Sequence, residues 1–366
     1  MNIALVLTGG GSRAAYQIGV LEGIRKITGQ NDKPFNIYVG SSGGAINATY
    51  LASHYGTFNK AVGDLSHFWG GLRSEDIYNT SITSLLKTAS GLLYDFTLGR
   101  HYHNKVRYIM DTQPLRQLIE RNESHGSLHK KIQEGGLRGL SIAATSYDAS
   151  STIHFVETGL PLKPWEKHRR CAKLTDITVD HVMASSAIPF FFPPVRIGDD
   201  YFGDGSIRNI YPLSPAIRLG CDKILAIGVR NAKEEFREQK HDKPSFARVL
   251  SVIINAIFLD AVDSDLEQLN IKNRIAKSDA CSGATSLRHI EALMISPSRD
   301  LAEIAYELQD SLPRVLSYFL SGLGAPEEAS TLMSYFFFEE VFTKKIMELG
   351  YQDALAQEEE IKEFMS

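Results

Sequence analysis

Twice within its first fifty residues the chain runs a short apolar segment into glycines and then into apolar residues at helical spacing. Ile3 to Leu7 leads to Gly9-Gly10-Gly11, after which Ala15, Ile18, Leu21 and Ile24 recur on one face, with Glu22, Arg25 and Lys26 off it. Ile37-Tyr38-Val39 then leads to Gly40-Ser41-Ser42-Gly43-Gly44 and a second helix from Ala45 to about Ala52. A βαβα start favours a parallel sheet with right-handed crossovers and helices on both faces. Further strands are expected at Leu140–Thr145, Ile153–Glu157, Ile224–Val229 and, late in the chain, Ala292–Ile295. The fold class is therefore α/β: three layers around a mostly parallel central sheet, plus a C-terminal helical extension.

The 366 residues are enough for one large domain or two ordinary ones. Residues 1–230 read as the main domain, with an inserted cap over about 68–110, where apolar islands such as Leu85-Leu86 and Leu92-Leu93 interrupt irregular sequence. Residues 231–366 read as a mostly helical extension on the same domain, because the late strand at about 292–295 is expected to join the same sheet. The charged stretch Lys233 to Lys243 reads as an exposed loop, and Phe246, Leu250, Ile253, Ile254 and Ile257 mark an amphipathic helix beyond it.

A net charge of −4 and the lack of any basic run argue against a nucleic-acid partner. Cys171, Cys221 and Cys281 are too far apart for a metal-ligand motif and odd in number, which suits a reduced, cytoplasmic setting. The N-terminus lacks a basic leader and a long apolar core, so no signal peptide is expected. No stretch approaches the roughly 18 apolar residues of a membrane span. A signal-independent export route stays open.

A strand turning sharply into a helix strains its turn residue and needs small neighbours two positions to either side. Ser42 has Gly40 and Gly44 there, whereas Ser41 has Val39 at −2. Ser42 is thus the candidate nucleophile, and the Gly43 amide, next to it at a helix start, is the candidate first oxyanion donor. An ordinary turn with Ser as helix cap fits the pentapeptide equally well.

The glycine run at Gly9 also admits two functional readings. Gly9-x-Gly11-x-x-Ala14 fits a dinucleotide-binding fingerprint, but the second strand lacks the acidic residue expected at its end, since Asp32 precedes it. Alternatively, the amides of Gly10 and Gly11 converge with that of Gly43 as an oxyanion hole, with Arg13 holding the loop or meeting an anionic group.

A serine hydroxyl needs a proton acceptor. Eleven histidines are present, none in a recognisable catalytic setting; His54 reads as a surface or packing residue, and His101-x-His103 and His125-x3-His129 as weak metal candidates. Asp204, between Gly203 and Gly205 and near Phe202 and Phe190–Phe192, is a carboxylate open to desolvation, which raises its pKa and makes it a better base. Alone, Asp-Gly is a common turn. Asp199-Asp200 read as a solvated hairpin tip with no basic partner.

Four motifs occur in order: Gly9-Gly10-Gly11-Ser12-Arg13, Gly40-Ser41-Ser42-Gly43-Gly44, Ala184-Ser185-Ser186-Ala187-Ile188-Pro189, and Asp204-Gly205-Ser206. Over roughly Ile3 to Arg218 the chain resembles the patatin-like phospholipase family, and Leu332 to Ala354 looks like extensions on bacterial members. The resemblance implies a Ser42–Asp204 dyad without histidine, an oxyanion hole from Gly9, Gly10, Gly11, Ser12 and Arg13 with Gly43, and support from Gly40, Gly44, Gly205 and Ser206. Ala14 and Ser206 stand where the family usually has glycine, and glycine or alanine, respectively; Ser206 is small enough to keep the geometry and able to hydrogen-bond the Asp204 loop. No metal or other cofactor is implied. The expected substrate is a phospholipid or other fatty acyl ester, met through transient contact with a membrane surface. The alternatives are a dinucleotide-binding protein, or a catalytically silent lipid-binding protein of the same fold.

Overall fold

Among the described residues ten strands order the chain: β1 (Ile3–Leu7), β2 (Ile37–Gly40), β3 (Gly139–Ser146), β4 (Ser151–Thr158), β5 (Glu166–Lys167), β6 (Arg170–Leu174), β7 (Val195–Ile197), β8 (Asp200–Gly203), β9 (Lys223–Ile227) and β10 (Glu291–Ile295). The computed structural model describes residues 1–29, 34–79, 108–122, 125–231, 243–258, 261–277 and 287–366. Most of the expected cap, the Lys233–Lys243 loop except Lys243, Asp32, His101, His103 and Cys281 lie outside them.

β1, β2 and β3 are buried along their whole length, as strands covered on both faces must be. β10, β9, β1, β2 and β3 pair in parallel in that spatial order, and β4 joins β3 antiparallel, followed by β6 and β5. Alternate residues of β1 enter two separate cores. Leu5 and Leu7 pack with the helices Ala15–Thr28 and Gly43–Ser53, while Ala4 and Val6 pack with Leu213, Ala216 and Leu269 on the other face. That alternation makes three layers.

The strand expected at Ala292–Ile295 pairs with β9 from Glu291 opposite Lys223 to Ile295 opposite Ile227. Beyond it run the helices Leu301–Glu307, Arg314–Ser321, Pro326–Phe336, Glu340–Ala356 and Glu358–Met365. The Glu340–Ala356 helix crosses the Ala15–Thr28 helix with backbones nearly touching. A Cβ at Gly350 would stand 2.3 Å from the Tyr16 carbonyl oxygen, so only glycine fits. Among the described residues, no helix is long and apolar enough to cross a membrane.

β7 and β8 form a hairpin with Asp199 and Asp200 at its turn. These two were expected to lack basic partners; Arg196 instead reaches Asp199 at 3.3 Å, and Lys173 of β6 reaches Asp200 at 3.7 Å. Arg196 stands on the facing strand, and Lys173 is brought near by the sheet. Both pairs are exposed and contribute under about 1 kcal/mol each.

The topology gathers the motifs on one edge. β1 and β2 are parallel, so the segments that follow them leave from the same side. β8 pairs antiparallel with the last residues of β3, Gly203 opposite Thr145, which delivers Asp204 to that edge too.

Candidate active site

Ser42 sits at φ 52°, ψ −130°, a conformation that costs a non-glycine residue about 1–3 kcal/mol and persists only where the surroundings enforce it. The surroundings are visible. A Cβ at Gly44 would lie 2.3 Å from the Leu7 carbonyl oxygen and 2.5 Å from that of Thr8, and one at Gly40 would lie 2.5 Å from the Gly44 carbonyl oxygen. The turn therefore admits no side chain at either flanking position. Its backbone is clamped from outside: the Ser42 N–H donates to Ser185 Oγ at 2.9 Å, and Ser186 Oγ donates to the Ser42 carbonyl at 3.3 Å.

The same Ala184–Pro189 segment holds the carboxylate loop, since the Asp204 N–H donates to the Ala187 carbonyl at 2.9 Å. Thr145 Oγ1 donates to the Asp204 carbonyl at 2.8 Å. Substituting Ser185 with alanine strands the buried Ser42 N–H and is expected to lower stability by about 1–3 kcal/mol. Denaturant unfolding checks this; an unchanged midpoint would contradict it.

Asp204 is fully buried, where partial desolvation had been expected. Its Oδ1 accepts the Ser206 N–H at 2.8 Å, whereas Oδ2 makes no hydrogen bond of ordinary geometry among the described residues. Burial pushes the Asp204 carboxyl from 3.8 up to about 7; the Ser42 hydroxyl, then the Ser206 amide and hydroxyl, limit the rise. The two hydroxyls are near enough to favour the carboxylate without meeting strict hydrogen-bond geometry. Tyr147, half-exposed nearby, has its hydroxyl pKa raised by burial first and by the Asp204 charge second.

The glycine loop lies between these groups. A Cβ at Gly9 would stand 3.0 Å from Ser42 Cβ and 2.2 Å from Ser206 Oγ, so Gly9 separates the elbow from the Asp204 loop by no more than backbone. A Cβ at Gly43 would meet the Gly11 carbonyl oxygen at 2.8 Å, so those two backbones touch as well. Gly11 has φ +55°, and the Tyr335 carbonyl fills the space a side chain would need. Val229 presses on Gly10 in the same way. Neighbouring groups thus press on the loop from several sides, and β2 ends in Gly40 without the acidic residue that the dinucleotide reading needs.

Ser12 and Arg13 turn toward the Pro326–Phe336 helix. Ser12 Oγ donates to the Ser334 carbonyl at 2.7 Å, Arg13 Nε donates to Ser334 Oγ at 2.8 Å, and the guanidinium lies 4.3 Å over the Tyr335 ring. A buried chain of side-chain amides supports the other side. Gln17 Nε2 donates to the Thr8 carbonyl, Asn47 Nδ2 donates to Gln17 Oε1 at 2.9 Å, and Trp69 Nε1 donates to Asn47 Oδ1 at 2.8 Å. Sequence reasoning missed Gln17, Asn47, Ser334 and Tyr335. The polar Gln17 and Asn47 among buried apolar neighbours were the available signal for two of them.

A narrow apolar pocket of about 20 Å³ opens beside Ser42 between Ile46, Phe68, Trp69, Leu72, Phe192 and Phe338. Phe192 alone of the aromatic triplet lines it; Phe191 packs 4.4 Å from the Phe336 ring centroid and Phe190 is 73% exposed. Among the described residues, one cluster has cation-like spacing: His129, Glu157 and Asp176. It sits at the opposite sheet edge, where Glu157 already pairs with His129 at 3.5 Å and accepts the Ile177 N–H. His54, read as a surface or packing residue, meets Asp64 at 2.9 Å.

The family model for patatin-like phospholipase matches residues 5–217, more than half of the chain. The chain belongs to the patatin-like phospholipase family. In this patatin-like chain Ala14 stands where the family usually has glycine, and its methyl fits under the elbow because position 43 carries no side chain. Similar solved structures include VipD from Legionella pneumophila, at 13% identity and TM-score 0.34, covering 94% of this chain and 66% of that one. ExoU in its heterodimeric complex with SpcU, from the type III secretion system of Pseudomonas aeruginosa, matches at 17% identity and TM-score 0.29, covering 90% of this chain and 68% of that one. The patatin-like chain thus spans about two thirds of the length of each. No curated protein sequence matches it.

Proposed function

We propose that this patatin-like protein is a lipid acyl hydrolase using Ser42 as nucleophile and Asp204 as its base. The observation that carries the reading is a serine held at φ 52° beside a wholly buried carboxyl whose pKa stands at about 7. A base poised near the working pH combines availability with basicity. In this reading Asp204 takes the Ser42 proton as Oγ attacks the ester carbonyl. The tetrahedral oxyanion is met by amides of Gly43 and the Gly9–Gly11 loop, each worth roughly 2.7–4 kcal/mol by comparison with measured oxyanion holes. Asp204 returns the proton to the departing alcohol, then activates a water that cleaves the acyl-enzyme and frees the fatty acid.

The fatty chain lies in the apolar pocket beside Ser42, whose aromatic walls part to admit it, since its present volume is about that of one water. Phe190, exposed two residues before the pocket-lining Phe192, offers a contact for the lipid surface. Incubating purified protein with a mixed lipid extract and reading products by mass spectrometry tests the function. Free fatty acids with the matching deacylated lipids are expected; a protein that binds lipid yet releases neither product would instead be a silent lipid binder.

A further inference from the structure

The sheet face opposite the elbow helix carries polar atoms the proposed reaction does not use. Pairing sets Ser141 opposite Val156 and Thr152 opposite Arg170, and His154 follows Thr152 on the same face, where Val156 and Ala172 join the second core. Trp165 packs there too, its ring centroid 6.4 Å from that of His154. Ser141, Thr152, His154 and Trp165 are all more than nine-tenths buried. Among the described residues, Ser141 Oγ, Thr152 Oγ1, His154 Nδ1, Trp165 Nε1 and Arg170 Nη1 have no hydrogen-bond partner. Buried polar atoms are nearly always satisfied, so five orphans on one face require an explanation.

The charges point the same way. Arg170 lies 4.0 Å over the Tyr211 ring and Arg218 lies 5.1 Å over the Trp165 ring. The two are close enough that Arg170 weakens proton binding at Arg218, second only to burial there. Neither makes an ion pair among the described residues; Asp265, the acid that feels Arg170, has its Oδ2 on the Leu213 N–H at 2.9 Å. Burial and Arg170 hold His154 neutral, its pKa near 3, so it adds a neutral ring N–H and lone pair but no charge. Buried waters could satisfy the hydroxyls and the indole. Water alone would leave two neighbouring, partly buried guanidiniums without an anionic partner.

We propose that His154, Trp165, Arg170 and Arg218 line a second site that binds a phosphate-type oxyanion, as the free ion or as a phosphomonoester. A tetrahedral oxyanion supplies enough acceptors for two guanidinium forks, an indole N–H and neighbouring hydroxyls, and Arg forks match its geometry bidentately. Arg170 and Arg218 are themselves only partly buried, which lets a ligand reach them from solvent. Tyr211 and Leu213 continue the segment that begins at Asp204, so an anion held here orders the chain leading from the carboxylate.

The test is isothermal titration of the full chain with inorganic phosphate at constant ionic strength, in parallel with Trp165→Phe, Arg170→Gln and a surface control, Arg196→Gln. Saturable binding is expected, weakened about tenfold or more by each of the first two variants and unchanged in the control. Trp165→Phe keeps an aromatic side chain while removing the N–H together with part of the indole's bulk, so it reports even if Arg170→Gln folds poorly. No saturable binding well into the millimolar range, or binding that Trp165→Phe retains in full, would overturn the proposal. Co-sedimentation with phosphatidylcholine vesicles, with and without phosphatidic acid, identifies the source. Capture by phosphatidic acid that Trp165→Phe abolishes assigns a lipid phosphate, and binding of the free ion alone assigns a soluble one. The readout is independent of hydrolysis at Ser42.

Discussion

Replacing Ser42 with alanine is expected to cut ester hydrolysis on the order of 10⁶-fold, the scale reached when an acting serine nucleophile is removed. The neighbouring hydroxyls offer no substitute. Ser185 and Ser186 are occupied with the Ser42 backbone, and Ser41 lacks the small residue at −2 that the turn requires. The loss should come without unfolding. Alanine at φ 52° is strained as serine is, so the denaturation midpoint at pH 5, where folded Asp204 is protonated, should stay close to wild type. The Asp204 pKa should rise, because the Ser42 hydroxyl is the largest influence holding it down. A folded Ser42→Ala protein that still hydrolyses a fatty ester within tenfold of wild type would remove Ser42 from the reaction.

Asp204→Asn should produce opposite effects on activity and stability. Asparagine cannot accept the serine proton, and kcat should fall by about 10⁴-fold, as when a triad carboxylate is neutralised. Stability should rise. The Asp204 carboxyl stands at about 7 in the folded protein against 3.8 for an ordinary side chain, so the folded state binds the proton more tightly. The stability this lends is fully present below pH 3.8 and is lost as pH rises through about 7, a loss of up to about 4 kcal/mol. The uncharged variant escapes that loss. Denaturant curves at pH 8 should show it more stable than wild type by a few kcal/mol, with the difference vanishing toward pH 4. For wild type, kcat/KM should climb with pH through an apparent pKa near 7 if the ionised carboxylate is the base, as proposed. A variant no more stable than wild type at pH 8 would mean that Asp204 carries no such desolvation cost.

What the sequence disclosed follows from where each residue finds its partners. β1, β2, β3, β4, β9 and β10 were legible because their apolar runs stand alone between breakers, and Ser42 because its spacing requirement is local. β6 reads Arg-Cys-Ala-Lys-Leu and has no strand pattern; it pairs because β4 offers an edge. Asp204 looks like any Asp-Gly turn until β8 docks on β3 and buries it. The attachment of the glycine loop to Ser334 spans 321 residues, and no local pattern encodes it. The partners of Asp199 and Asp200 were likewise set by strands facing each other.

The most direct measurement is reaction with a fluorophosphonate followed by peptide mass mapping, run on wild type and Asp204→Asn. A single adduct on Ser42, formed far more slowly in Asp204→Asn, is the expected result. An adduct on another residue, or none in a preparation that hydrolyses lipid esters, would contradict the account of a strained serine activated by a buried carboxylate.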